Sequence, residues 1–423
     1  SRTLARSLAL HRNTVNAAYD ELNAEGWLEP RSRSGTYVCR SLPATDPIPL
    51  EPFAPRAAPR AEMATRYRLR RPPLAWRAAS LPPGSVDLGG GRPDLSLIRI
   101  TALTRAYARS VRRMRAGALG YGDPRGHERL REAIAQMLAS ARGVAVRADN
   151  ILITSGSQMA LYLVARTLLG TGDSVAVEGL GYPSAWAALR ASGARLIPIG
   201  LDDQGLRTDE LDRVVRRQPI RAVYLTPHHQ YPTTVPLAPE RRVALIQLAR
   251  RHRFAILEDD YDHEIHYDGR PLAPLAASDR LESVIYLGSL SKIFAPGLRL
   301  GFVAAPPNVI QALAAHRSVI DLTGNAGIEL AAAELLEDGE VQRHLRRVTR
   351  IYRERRDALV RELAARLEGV VEFEIPPGGT AVWCRMRGGS PGAWVARCHK
   401  AGVYFQEGSR FALSGRQVKA VEE

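Results

Sequence analysis

VIYLGSLSK, at residues 284–292, is the most informative segment of this chain. Its first half is apolar and contains β-branched residues, which predicts a buried strand that ends near Gly288. A lysine just beyond a buried strand is unusual, because an ammonium group resists leaving water. Such a place suits a lysine that acts as an amine nucleophile, since burial lowers its pKa.

Two side chains close to Lys292 in sequence are suited to an anionic ligand. Ser289 precedes it and Arg299 follows it, and a hydroxyl and a guanidinium are good partners for a phosphate. One interpretation is that Lys292 forms an internal aldimine with pyridoxal phosphate. The other is a surface lysine in a serine-rich turn, which is the better choice for this short motif alone. Motifs elsewhere in the chain favour the first interpretation.

Length and composition indicate a large globular protein. The 423 residues are enough for two or three domains, and the apolar fraction of 45% is ordinary. The apolar runs are too short to span a membrane and the N-terminus is polar, so neither a membrane helix nor a signal peptide is predicted. The three cysteines lack metal-site spacing and fit free thiols, which predicts a cytoplasmic location.

The net charge of +15 favours association with a polyanion such as nucleic acid. The alternative is an arginine-rich proteome that places arginine on every surface. Charge alone does not separate these two explanations.

The first forty residues predict two helices followed by a hairpin. Leu4 and Leu8 share a face over Thr3–Leu8, and apolar residues recur at helical spacing over Arg12–Ala24. The short break between them gives helix-turn-helix spacing. Residues 27–38 predict the hairpin, with a basic turn at its tip.

The second helix begins with side chains that can read bases in a major groove, where arginine pairs with guanine and asparagine with adenine. The arginines of the hairpin tip are suited to phosphate or minor-groove contact. The alternative is a small helical cap with a solvated basic loop, and the order of helix, helix and hairpin makes it the weaker choice. The predicted DNA-contacting residues are Arg2, Arg12, Asn13, Thr14, Arg31 and Arg33.

Residues 41–84 contain ten of the 28 prolines and predict a proline- and arginine-rich linker. A solvated tether is a better interpretation than a segment that touches DNA phosphates.

From Ser85 onward, apolar strands alternate with helical patterns, which predicts an α/β fold with a mostly parallel sheet. A long helical stretch is predicted from Gly327 to Leu367. Helices are also predicted at Ser157–Leu169, Ser184–Ser192 and Glu240–Arg251. The seven predicted strands are Ile151–Thr154, Ser174–Val177, Arg195–Ile199, Ala222–Leu225, Phe254–Leu257, Val284–Leu287 and Leu300–Ala304.

Polar motifs follow several of these strands, at the sheet edge where ligands bind in such folds. TSGSQ at 154–158 precedes a helix, and its amides and hydroxyls could form a phosphate cup. Asp259 could pair with a pyridinium N–H, and Tyr261 could reach a phenolate oxygen. Tyr182 could stack on a cofactor ring, although a lone tyrosine is more often a packing residue.

The EDDY motif at 258–261 has two alternative interpretations, a metal site and a solvated strand end. We expect no metal there, because His263 and His266 lie nearby in sequence but no other residue completes a known spacing.

The first forty residues resemble the winged helix-turn-helix of GntR-type transcription regulators, through RNTVNAAYDELNAEGWL at 12–28 and RSRSGTYV at 31–38. Ala9 and His11 stand where that family has a glycine and a Ser or Thr cap. The resemblance implies that the family's first helix would precede Ser1, so we expect an incomplete winged domain over residues 1–40.

The rest of the chain, from about Asp87 to Leu413, resembles the fold-type I aminotransferase superfamily. The motifs that carry this resemblance are LGYGDPRG at 119–126, TSGSQ at 154–158, TPHHQYP at 226–232, EDDY at 258–261, and SLSK at 289–292 with Arg299. The superfamily has asparagine where Tyr231 stands, and the substrate-carboxylate arginine is not assignable to Arg410 or Arg416.

This resemblance implies pyridoxal 5'-phosphate (PLP) as the cofactor, with Lys292 and Asp259 as catalytic residues. Asp259 would hold the ring nitrogen, Tyr261 would contact the 3-oxygen and Tyr182 would stack. Tyr121 would reach the cofactor of a partner subunit, which predicts a homodimer. The residues expected to hold the phosphate are Ser155, Gly156, Ser157, Ser289 and Arg299.

The order of winged helix, linker and aminotransferase-like domain resembles that of MocR/GabR-type regulators. The resemblance implies a DNA-binding regulator that senses PLP or an amino-compound effector through aldimine exchange at Lys292. Its domains would be 1–40, the linker 41–84, and 85–423 with a small, truncated C-terminal subdomain from about residue 330. The alternative is a functional aminotransferase acting on an amino acid.

Overall fold

The computed structural model describes residues 2–31, 34–41, 67–68, 81–89, 91–114, 120–269 and 271–413. The chain divides into two compact units, residues 1–71 and 72–423. Arg33, most of the predicted linker and the last ten residues of the chain lie outside the described ranges.

The small unit contains two helices and one hairpin, as the sequence predicts. The helices are α1 (Arg2–Ser7) and α2 (Arg12–Ala24). Strands β1 (Leu28–Arg31) and β2 (Gly35–Val38) pair antiparallel, with Leu28 opposite Val38.

Ala9 and His11 have specific conformational roles in the turn between α1 and α2. Ala9 adopts a left-handed conformation with φ of 52°, which is the conformation that glycine accommodates without strain. His11 is the N-cap of α2, and its Nδ1 accepts a hydrogen bond from the backbone N–H of Asn13 at 3.3 Å. A histidine ring therefore takes the part that a Ser or Thr hydroxyl plays at other helix starts.

The large unit is built from short strands and longer helices. Its strands are β3 (Val86–Asp87), β4 (Ile151–Thr154), β5 (Ser174–Glu178), β6 (Arg195–Ile199), β7 (Leu201–Asp202), β8 (Gly205–Leu206), β9 (Ala222–Leu225), β10 (Ala255–Asp260), β11 (Val284–Ser289), β12 (Gly301–Ala304), β13 (Val371–Phe373), β14 (Cys384–Met386) and β15 (Val403–Tyr404). Its helices are α3 (Ile100–Arg113), α4 (Glu128–Arg142), α5 (Ser157–Leu168), α6 (Pro183–Ala191), α7 (Thr208–Arg217), α8 (Pro239–His252), α9 (Leu275–Asp279), α10 (Pro307–Ser318), α11 (Ala326–Glu337), α12 (Glu340–Arg366) and α13 (Pro391–Lys400).

The main sheet has seven strands in the order β4-β12-β11-β10-β9-β5-β6. These are the seven strands predicted from the sequence. β12 runs antiparallel to both of its neighbours, and the other pairs are parallel. The prediction of a mostly parallel α/β sheet is confirmed.

Helices cover both faces of this sheet, which is why its strands read as continuous apolar runs. Buried residues of α5, α6 and α10 pack on one face, and those of α4, α8 and α11 pack on the other. Five of the seven strands are buried along their whole length, so the sheet holds its edge residues in a rigid frame.

The long helical stretch predicted from Gly327 to Leu367 is divided into two helices in the structure. α11 ends at Glu337, and Gly339 adopts a left-handed conformation with φ of 69° before α12 begins. The apolar stripe continues across this break, so the periodic pattern alone does not reveal it.

A small C-terminal part contains the β13–β14 antiparallel pair and α13. β15 pairs in parallel with β3, with Val403 opposite Val86, so the beginning and the end of the large unit meet there. Within the described ranges, the structure contains no helix with both the length and the apolar character that crossing a membrane requires.

Candidate cofactor site

Lys292 lies just beyond the end of β11, at the edge of the main sheet. Its Nζ donates a hydrogen bond to the carbonyl oxygen of Gly91. Burial lowers the pKa of the Lys292 ammonium, and the negative charges of Asp262 and Asp259 only partly offset this effect. The lysine that the sequence singles out is therefore held where its neutral, nucleophilic form is easier to reach than in water.

Asp259 lies on β10, the strand next to β11, with its backbone opposite Leu287. Its Oδ2 accepts a hydrogen bond from the Tyr224 hydroxyl at 2.8 Å. Its Oδ1 is buried and finds no hydrogen-bond partner among the described residues. Burial raises the pKa of Asp259 to about 7. A buried, unpaired carboxylate oxygen is costly, so this atom fits a ligand that brings a charged N–H donor.

The predicted phosphate cup lies at the N-terminus of α5. Gly156 is the N-cap, with φ of 86°, and Arg299 donates a hydrogen bond from its guanidinium to the carbonyl oxygen of Ser155 at 2.8 Å. A Cβ atom at Gly156 would lie 2.6 Å from the Arg299 guanidinium. Because glycine lets the guanidinium approach, positive charge is placed beside the free amides of the helix start, which is a suitable arrangement for a phosphate.

The sheet register brings Ser289 to the same cup. Gly301 on β12 pairs with Ser289 on one side and with Thr154 on the other. A Cβ atom at Gly301 would lie 2.6 Å from the carbonyl carbon of Gly156, so this position also needs glycine. Sequence reasoning missed Gly301, although a glycine inside an apolar strand is a known sign of close backbone approach.

Three tyrosines form a half-buried cluster near these groups. The Tyr231 ring contacts Tyr182 edge-on at 5.6 Å between centroids, and it contacts Tyr261 at 6.2 Å. Burial raises the pKa of Tyr231 to about 12, so its hydroxyl keeps its proton. The Tyr261 hydroxyl donates to the carbonyl oxygen of His229 at 3.1 Å, so a contact to a cofactor oxygen requires it to exchange this acceptor.

All of the predicted cofactor-site residues except Tyr121 meet at the carboxyl end of the sheet. They are Ser155, Gly156, Ser157, Tyr182, Asp259, Tyr261, Ser289, Lys292 and Arg299. Tyr121 does not show a contact with them and is 84% exposed.

The predicted DNA-contacting residues of the small unit are mostly exposed. Arg2, Arg12, Asn13 and Thr14 are all accessible, and the last three form the start of α2. Arg31 is already engaged, because its Nε donates to Glu29 at 3.0 Å and its guanidinium lies 5.0 Å from the centre of the Tyr37 ring. Arg31 is thus less available for a phosphate than the sequence suggests.

The expectation that no residue converges on His263 and His266 is wrong. His228 and His229, from the loop after β9, pack against them, with ring centroids 4.4 Å apart for His228 and His263. His229 and His266 are stacked at 6.1 Å. Sequence spacing does not predict this contact, because the histidines come from two loops whose strands are neighbours only in the folded sheet.

Comparison with known proteins agrees with this geometry. Residues 84–417 match the aminotransferase class I and II family. The probable rhizopine catabolism regulatory protein MocR of Rhizobium meliloti is 32% identical over 85% of this chain and 71% of its own length. The HTH-type transcriptional regulator TauR of Rhodobacter capsulatus is 32% identical over 99% of this chain and 85% of its own.

Among solved structures, the kynurenine aminotransferase of Pyrococcus horikoshii, determined in complex with PMP, superimposes with a TM-score of 0.73. It is 31% identical and covers 78% of this chain and 82% of its own. The cofactor implied by the family and by this neighbour is PLP, and the unpaired oxygen of Asp259 and the cup beside Arg299 fit it. With a family match over most of its length, this chain belongs to the aminotransferase class I and II family, whose domain it shares with MocR-type regulators.

Proposed function

We propose that this protein is a PLP-dependent transcription regulator that binds DNA through its small unit and an amino-compound effector through its large unit. The observation that carries the proposal is that the similarity to a transcription regulator extends over nearly the whole chain, including the exposed, basic start of α2. An aminotransferase without a regulatory role would not require that segment.

The residues of the large unit have distinct roles in this proposal. The phosphate would be held by Ser155, Gly156, Ser157, Ser289 and Arg299. Asp259 would accept the ring N–H on its free oxygen, Tyr182 would stack on the ring and Tyr261 would donate to the 3-oxygen. When bound, PLP supplies an aldehyde carbon that combines reversibly with primary amines.

Lys292 and Asp259 prepare this chemistry by their charge states. The lowered pKa of Lys292 increases the fraction of neutral amine, which is the form that attacks a carbonyl. The pKa of Asp259 is raised to about 7 in the protein alone, and a cationic N–H at its free oxygen would favour the ionised carboxylate again. An ionised Asp259 in turn keeps the ring nitrogen protonated.

The small unit supplies DNA recognition in this proposal. Arg12 and Asn13 would enter a major groove at the start of α2, and Arg2 would contact phosphate. The net charge of +15 strengthens association with DNA and makes it dependent on salt. Arg31 would have to release Glu29 before it could contribute.

An effector regulates DNA binding only if it has different affinities for two arrangements of the protein. Such coupling is typically worth about 5- to 150-fold in affinity. Two copies of the chain are proposed to form the regulator, because Tyr121 is exposed and could then reach the cofactor of the other copy.

Fluorescence anisotropy of DNA from upstream of the protein's own gene tests this proposal. At fixed salt, we expect saturable binding that exceeds binding to random DNA and that changes with PLP. The change should disappear in Lys292→Ala, whereas Lys400→Ala, at the end of α13, serves as a matched control. Sequence-independent binding that ignores PLP would rule out cofactor-coupled regulation.

A working aminotransferase is the second candidate, favoured by the presence of both Lys292 and Asp259 at the site. Under that function the protein would sustain turnover of an amino acid with a keto-acid acceptor. Continuous product formation over many turnovers supports catalysis, and a single stoichiometric exchange supports regulation.

A further inference from the structure

A group of histidines lies at the carboxyl ends of β9 and β10, apart from the residues assigned to PLP. His228 and His229 are buried, with 6% and 2% of their surface exposed, and His266 is half-buried. Their ligand atoms lie within 4.8 Å of one another.

Each of these three rings has a nitrogen without a hydrogen-bond partner among the described residues. The atoms are Nε2 of His228, Nε2 of His229 and Nδ1 of His266, and all three are buried. Buried polar atoms are paired in most proteins, because an unpaired one loses the hydrogen bonds it makes to water. Three unpaired nitrogens at one place indicate a ligand that interacts with all of them.

We propose that His228, His229 and His266 bind a single divalent cation of the Zn²⁺ class. Imidazole nitrogen is a preferred ligand of Zn²⁺, Ni²⁺ and Cu²⁺, whereas Mg²⁺ and Ca²⁺ prefer oxygen. Three histidines leave a fourth position, which a water molecule would fill.

The distances allow this coordination with small adjustments. Three atoms no more than 4.8 Å apart lie within about 2.8 Å of a common point. Zn–N bonds are about 2.0–2.1 Å long, so each nitrogen would have to move by less than about 1 Å. Rotation of the imidazole side chains is sufficient for such a shift.

The surroundings of His229 are those of a metal ligand. Its Nδ1 lies 2.9 Å from Oδ1 of Asp262, and a carboxylate at this nitrogen fixes the tautomer that leaves Nε2 free. A Cβ atom at Gly378 would lie 2.4 Å from that Nε2, so glycine keeps a side chain out of the space in front of it.

The other two rings lie beside His229 in the same cluster. The ring centroid of His228 is 4.4 Å from that of His229, and the centroid of His266 is 6.1 Å from it. Asp260 and Asp262 provide negative charge close to the group.

The site joins two loops that follow neighbouring strands of the main sheet. His228 and His229 belong to the loop after β9, and His266 belongs to the loop after β10. Tyr261 donates to the backbone carbonyl of His229, so a cation here would hold that carbonyl and its tyrosine in place. The inference does not depend on whether the protein regulates transcription or catalyses transamination.

Zinc titration of the full-length, PLP-loaded protein after treatment with a chelator tests the proposal. We expect one Zn²⁺ per chain, measured by competition with a chromophoric chelator, and a higher melting temperature with Zn²⁺. His266→Gln should weaken binding at least tenfold and abolish the thermal shift. His316→Gln, an exposed histidine on α10, should bind as the wild type does.

Two outcomes would overturn the proposal. The first is the absence of stoichiometric Zn²⁺ in the wild-type protein. The second is equal binding by the His266→Gln and His316→Gln variants, which would place the metal elsewhere or on PLP itself. If His266→Gln does not fold, Co²⁺ bound to the wild-type protein decides the question, because four-coordinate Co²⁺ with three histidine nitrogens and one water absorbs strongly in the visible and hexaaquo-like Co²⁺ does not.

Discussion

The effect of the buried Asp259 carboxyl on the stability of the fold depends on whether a ligand occupies the site. Without a ligand, burial raises its pKa to about 7, against an ordinary value of 3.8. The folded protein therefore binds a proton that the unfolded chain releases between these two values. It follows that the contribution of this group to stability is present below about pH 4 and is lost as the pH rises through 7.

Asp259→Asn should remove this dependence, because the amide is neutral at every pH and can still accept from Tyr224. We expect the PLP-free variant to be more stable than the PLP-free wild type at pH 8, by on the order of 1–3 kcal/mol, and equal to it near pH 4. Urea unfolding at several pH values measures the difference.

Asp203→Asn, an exposed change on the β7–β8 turn, is the control and should leave the pH profile unchanged. A constant difference between Asp259→Asn and wild type across the pH range would contradict the burial argument. The PLP-loaded proteins should show the opposite order, because the variant loses the charge that pairs with the ring N–H.

Gly156 is the residue on which the phosphate cup depends. Its φ of 86° and ψ of 167° lie in a region that is almost exclusive to glycine. Gly156→Ala should weaken PLP binding at least tenfold, because the new methyl group would displace the Arg299 guanidinium, and strain should cost about 1–3 kcal/mol of stability.

Gly297→Ala is the matched control, since a Cβ atom there meets no atom within 4 Å. PLP titration followed by absorbance and urea unfolding of both variants provide the comparison. Similar PLP affinities for the two variants would show that the close approach of Arg299 is not needed.

At the scale of elements, the boundary between α11 and α12 is set by one residue. Gly339 has φ of 69° and ψ of 15°, which places it in the left-handed region. Gly339→Ala should lower the free energy of unfolding by about 1–2 kcal/mol, since a Cβ atom is unfavourable in that conformation. Asparagine, which tolerates it better, should cost less.

Gly392→Ala tests the same exchange at the second residue of a helix, where the backbone is not left-handed. Gly392 lies on α13 with ordinary helical geometry, and a Cβ atom there makes only a 3.5 Å contact to Glu407. This variant should be stabilised by about 0.5–1 kcal/mol. If denaturant unfolding gives losses for both variants, backbone conformation does not explain the helix break.

At the scale of the whole molecule, we expect two chains to complete each other's cofactor sites. Tyr121 is 84% exposed, and the segment between α10 and α11 exposes Val319, Ile320 and Leu322. Light scattering should give twice the mass of one chain. Tyr121→Ala should lower PLP affinity several-fold if the ring of Tyr121 reaches the partner's cofactor.

Mixed dimers provide the sharper measurement. Lys292→Ala and Tyr121→Ala chains, refolded together, should form hybrids in which one site has both Lys292 and Tyr121. We expect PLP affinity at that site to return to the wild-type value. A monomeric protein, or hybrids without any restored site, would exclude this arrangement.

The seven strands of the main sheet are readable from sequence because helices cover both faces of the sheet. The sequence predicts all seven strands of the sheet with bounds that differ from the structure by three residues at most, since such strands form unbroken apolar runs between glycine and polar residues. Lys292, Asp259 and the start of α5 were likewise found as polar residues placed where strands end.

Tertiary structure decided which of these groups meet and which atoms they leave unpaired. Tyr224 takes one oxygen of Asp259 and leaves the other free, and the register of β12 puts Gly301 between Ser289 and Thr154. The meeting of His228 and His229 with His266 follows from the pairing of β9 with β10. Local sequence patterns encode burial and helical or extended conformation, whereas contacts between distant residues depend on strand order and register, which exist only once the chain has folded.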